Sequence, residues 1–146
     1  MREPVELYVD GYAPAKAPPA LRREVSSAIA ALRDLCKALR LHRPRIHYTD
    51  DLAGCACYCS GSQDWPVIVI SPGPFTDPGL DLRRGVESTL AHELMHAYLE
   101  TLGLDCCDYE HPEDEIEDLA RRYCDGLVAA DEVAAALDKL TDKLMG

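Results

Sequence analysis

Residues 92–96 read His-Glu-Leu-Met-His, and no other stretch constrains the chain as much. Positions i and i+4 stand one turn apart on the same helix face, so both imidazoles reach a single cation only if this segment is helical. Its surroundings agree. Leu82 to Leu102 reads as a helix, with Leu90, Leu94 and Ala97 on its buried side, Asp81 as N-cap and Gly103 as the stop. Glu93 projects beside the two histidines, where it can take a proton from a metal-bound water.

Two imidazoles alone bind a divalent ion weakly, and catalytic zinc takes three protein ligands while keeping one position for water. The next helix, expected over 113–127, brings three acids near its start: Glu113, Glu115 and Glu117. Ile116, Leu119, Ala120, Tyr123, Cys124 and Leu127 form its inner face. Glu117, next to Ile116 and three residues before the small Ala120, is the expected third ligand, with Glu113 and Glu115 as the alternatives. The expected cofactor is one Zn²⁺ per chain, held by His92, His96 and Glu117.

The remaining pattern suits a small core. The chain has 146 residues, 47 % of them apolar, enough for one domain and too few for two. Val5, Leu7 and Val9 alternate as in a strand, and a Pro-rich connector leads into a long helix over 20–41 with the stripe Val25, Ile29, Leu32, Leu35/Cys36 and Leu39. Strands are expected over 45–49, 55–59 and 67–70, and a last helix from Asp131 through Leu144. The expectation is an α+β fold, one domain over 1–146. A small, mostly antiparallel sheet packs with the long N-terminal helix, the histidine helix and the glutamate-bearing helix.

Charge narrows the function classes. Acids number 26 against 15 Lys plus Arg, a net charge of −11, the reverse of the basic footprint that nucleic-acid binding needs. From Gly85 to Ala120 there are eleven acids and no Lys or Arg. A divalent cation offsets part of that field, and a cationic peptide is drawn to it. No stretch is apolar enough to span a membrane and the N-terminus lacks a signal-peptide pattern, so a cytoplasmic protein without membrane partners is expected.

Seven cysteines, an odd number, read mainly as reduced thiols. Cys55, Cys57 and Cys59 share one face if their segment is a strand, and Cys106-Cys107 lies in the acidic loop between the two ligand helices. A redox link, a second metal site and plain buried thiols all fit these positions.

Ser88-Thr-Leu-Ala-His92-Glu93-Leu-Met-His96-Ala-Tyr-Leu99 resembles the active-site helix of gluzincin metallopeptidases. The stretch Glu117-Asp-Leu-Ala120-Arg-Arg-Tyr123-Cys124 resembles their second helix, in which the ligand glutamate precedes a small residue by three. With the short chain, this is similar to the minigluzincins and the ImmA/IrrE-like metallopeptidases. Where those families place Asp or Asn directly after the small residue, this chain has Arg121, so Asp118 or Asp125 would have to orient a histidine instead.

The resemblance implies a zinc-dependent peptidase acting on a peptide or protein, in the ImmA/IrrE case a regulatory one, with Glu93 as general base. Tyr109, His111, Tyr123 and His47 are candidates to stabilise the oxyanion, and Val67–Ile70 is the expected edge strand for an extended peptide. The rival expectation is a regulatory or interaction protein that keeps the fold and cleaves nothing.

Overall fold

In the computed structural model the described residues are 19–48, 57–62, 65–70, 81–104 and 112–146, with only the backbone of 47, 48, 57–62, 65–67 and 69. The expected strand at residues 5–9 lies outside them. The long N-terminal helix is two helices, α1 (Pro19–Ala31) and α2 (Arg33–Ala38), with Leu32 between them. The interruption is slight. Leu32 N–H donates to the Ala28 carbonyl at 2.8 Å and Cys36 N–H to that of Leu32 at 2.9 Å, so the stripe Leu21, Val25, Ile29, Leu32, Leu35, Cys36 and Leu39 stays on one side and is buried.

The chain leaves α2 through Arg40, whose φ of 56° is a left-handed conformation, and enters β1 (Arg45–Tyr48). β2 (Cys57–Ser62) and β3 (Trp65–Ile70) follow. The three strands form one sheet in the order β1-β3-β2. β2 and β3 are antiparallel with Cys57 opposite Ile70 and Cys59 opposite Ile68, whereas β1 runs parallel to β3 with Ile46 opposite Ile68. Ile46, Ile68 and Ile70 are buried.

This overturns the expected α+β fold with its mostly antiparallel sheet. Helix takes 75 % of the fully described residues and strand 4 %, and the strands add only a thin layer of mixed direction. The apolar stripes of the helices build most of the core, and local alternation says nothing about which strand lies in the middle. Val67–Ile70 is corrected for the same reason. It belongs to β3, hydrogen-bonded on both sides by β1 and β2, so its backbone has no open edge for a peptide. Among the described strands β1 and β2 are the outer ones, and β2 packs against the next helix.

That helix is α3 (Leu82–Thr101). The Asp81 carboxylate accepts from Arg84 N–H at 3.2 Å, capping its start. Gly103, at φ 98°, turns the chain after its end, a conformation in which a Cβ would be strained. Val86, Leu90, Ala91, Leu94, Met95, Ala97, Tyr98 and Leu99 are all buried, because α3 packs against α1, β2 and two later helices at once.

These later helices are α4 (Glu113–Cys124) and α5 (Ala130–Met145). α4 ends three residues before the expected limit, at a turn through Gly126 with φ 76°, which leaves Leu127 66 % exposed rather than on the inner face. α5 starts one residue before Asp131. The Glu132 carboxylate accepts from Ala129 N–H at 2.8 Å, and Val133 and Leu137 enter the common core. None of the described helices is long and apolar enough to cross a membrane.

Candidate metal centre

At about 100° per residue, His92, Glu93, His96 and Glu100 fall within roughly 100° of the circumference of α3. This is the face that the eight buried residues leave over. The side chains of His92 and His96 are 22 % and 12 % exposed, open enough for a ligand and enclosed enough to be fixed. Their Nε2 atoms stand 3.0 Å apart.

The third member comes from the first residue of α4. Glu113 Oε1 lies 3.1 Å from His92 Nε2 and 3.0 Å from His96 Nε2. Among the described residues, His92, His96 and Glu113 form a group of donors able to hold one metal ion. Glu117, the expected third ligand, is not in it and is exposed, as is Glu115. The reason is angular. Ile116 and Ala120 are the fully buried residues of α4 and aim at the core. On a regular helix Glu113 lies about 40° from the centre of that pair and Glu117 about 80°. Placing each acid by its angle from Ile116 and Ala120 would have favoured Glu113. Glu113 is followed three residues later by Ile116 and not by a small residue, so the gluzincin-like spacing of the second helix does not coincide with the cluster.

Protons cannot close this triangle. Three separate hydrogen bonds need three protons, one on each member, and an imidazole Nε2 that carries a proton has no lone pair left to accept another. If both nitrogens donate to Glu113 Oε1, the 3.0 Å contact between them sets two N–H groups side by side. A cation placed among three lone pairs satisfies all three. Bonds of about 2.0–2.1 Å at tetrahedral angles bring ligand atoms to roughly 3.3 Å from one another, close to the separations found. The donor set, two imidazoles and a carboxylate, suits Zn²⁺.

Glu93 stands at the edge of the cluster, its Oε2 4.0 Å from His92 Nε2 and its side chain 12 % exposed. Burial raises its carboxyl to about 8, helped by the negative charges of Glu113 and Glu100. A group with that affinity holds a proton at neutral pH unless a cation arrives nearby.

The other expected participants are elsewhere. Asp118 pairs with Arg121 and with Arg122, and Asp125 with Arg84, so these carboxylates are engaged with guanidinium groups. Tyr123 lies ten residues, about 15 Å of helix, from Glu113. Burial raises its phenol, and the surrounding groups are Asp34, Cys124, Cys36 and Glu87, which removes it from the oxyanion candidates. Tyr109, His111 and the side chain of His47 lie outside the described residues.

Cys36 and Cys124 are free thiols, and burial holds both protonated, Cys36 up to about 11. Thiols of that kind behave as small apolar groups. Cys57 and Cys59 occupy the β2 positions opposite Ile70 and Ile68, and Cys55, Cys106 and Cys107 lie outside the described residues. No family model matches the chain, and no curated protein or solved structure matches it either.

Proposed function

We propose that this chain is a zinc-dependent hydrolase of peptide bonds, with His92, His96 and Glu113 as metal ligands and Glu93 as general base. One observation supports it above the rest. Two imidazole nitrogens and a carboxylate oxygen from two different helices meet at 3.0–3.1 Å in an arrangement that hydrogen bonds cannot complete. The ligand types, two histidines from one helix and a glutamate from the next, are those of the gluzincins that residues 88–99 resemble.

Zn²⁺ in such a site supplies a water whose pKa is lowered towards about 7 and polarises a substrate carbonyl. The chain's residues do the rest. Glu93, buried beside His92 and raised towards neutrality, takes the proton of the attacking water and hands it to the leaving amine. Glu100, whose charge acts on Glu93, extends the acidic face along α3. Among the described residues β2 is an outer strand of the sheet, and it borders α3, where an extended peptide could pair with it. The substrate class is a peptide or protein.

The test pairs metal content with hydrolysis of a mixed peptide pool. One zinc per chain, lost in His96→Ala, together with cleavage lost in Glu93→Gln at unchanged zinc, supports the reading. Zinc without cleavage of any peptide favours the rival, a regulatory protein that keeps the metal.

A further inference from the structure

Resting on the zinc site just proposed, we infer that the ion also governs the docking of α4, so that metal loading and assembly of the site are one event. The argument starts from how the helices are held. α3 has a side-chain cap at Asp81 and eight buried residues, and in α5 the Glu132 carboxylate accepts from the N-cap N–H of Ala129, with Val133, Leu137 and Thr141 buried. α4 begins at Pro112 without a side-chain cap, and of its twelve residues only Ile116 and Ala120 are buried. Leu119, Tyr123 and Cys124 pack partly against the core. Its ion pairs, Arg84 with Asp125 and Asp118 with Arg121, are exposed on both sides and contribute little.

The anchoring is also lopsided. The better packed part of α4 is its middle and end, whereas its first turn carries Glu113, Asp114 and Glu115, all exposed. Without a cation, the first turn is held at α3 by imidazole contacts that cannot all be hydrogen bonds. With a cation, the same three atoms become a cross-link between positions 21 and 17 residues apart in the chain. Metal binding then carries folding free energy into this one helix. The metal-free chain has a loosened α4 and no completed site, which makes divalent-ion supply the switch for activity.

Hydrogen exchange of the full chain, stripped of metal and then given one equivalent of zinc, tests this, with bound zinc counted on the same sample. The expected result is exchange slowed tenfold or more at the amides of 116–124, with those of 133–145 changed less than twofold. In Glu113→Ala at saturating zinc, 92–96 should still gain protection and α4 should not; the side chain is 61 % exposed, so this variant folds. Zinc bound at one equivalent with α4 unchanged, or with α4 and α5 slowed alike, overturns the inference and leaves the metal site standing. No bound zinc removes both.

Discussion

The two helices that meet at the metal cluster are built on opposite principles. α3 is enclosed by α1, β2, α4 and α5, so its histidines are fixed by the packing of Leu90, Leu94, Met95 and Leu99, each fully buried. α4 lies on the surface, and its contribution, Glu113, comes from an exposed first turn. A site assembled this way has one half on a buried helix and the other on an exposed first turn. Which acid of α4 meets the histidines depends on how that helix is rotated against the core, which its own sequence constrains weakly.

The largest expected effect separates chemistry from scaffold within α3 itself. Glu93→Gln should retain zinc and lose hydrolysis by about 10²–10⁴-fold, read as turnover on a fixed peptide; full activity would leave Glu93 with no part in proton transfer. Next comes the packing that fixes the histidines. Leu94→Ala, at a site of 0 % exposure, should cost about 2–5 kcal/mol in denaturant unfolding, whereas Leu119→Ala on the half-buried side of α4 should cost clearly less. Equal losses would erase the contrast between the helices.

Zinc affinity distinguishes the acids of α4. Glu113→Ala should weaken it at least tenfold, about 1.4 kcal/mol, while Glu117→Ala leaves it unchanged, by competition with a chelator of known affinity. The reverse pattern would restore Glu117 as the ligand.

A smaller and more graded effect follows from Glu93 in the metal-free protein. Its carboxyl is raised to about 8, so the native state binds that proton more tightly than the unfolded chain. The stabilisation is complete below the ordinary carboxyl range and is lost as pH rises through about 8, with a slope of at most about 1.4 kcal/mol per pH unit. Comparing wild type with Glu93→Gln across pH 4–9 isolates it; parallel curves would contradict it. Smallest is the cap. Asp81→Ala should lower stability by about 1 kcal/mol, seen as a modest drop in Tm.

Much of α3 was legible in advance because the information is local. The i, i+4 histidines, the Asp81 cap, the Gly103 stop and the apolar stripe all lie within one helix, and a helix displays its own pattern. The acid that meets the histidines lies one turn before Glu117, the expected third ligand. The small Ala120 three residues on favours Glu117 in the sequence, whereas the angle to the buried pair Ile116 and Ala120 brings Glu113 to the histidines. The sheet fared similarly. Val67–Ile70 reads correctly as an apolar strand, yet its place in the middle of the sheet follows from β1 lying parallel to it, a non-local pairing.

By itself, then, the sequence determined that α3 forms, where it starts and stops, and that His92, Glu93 and His96 share its polar face, because 3.6-residue periodicity and capping act over a few residues. Only the tertiary structure decided that Glu113 is the acid that meets them and that β3 has no free edge. Those outcomes depend on how separate elements rotate and pair, and that is set by the burial of Ile116, Ala120, Ile68 and Ile70 in a shared core.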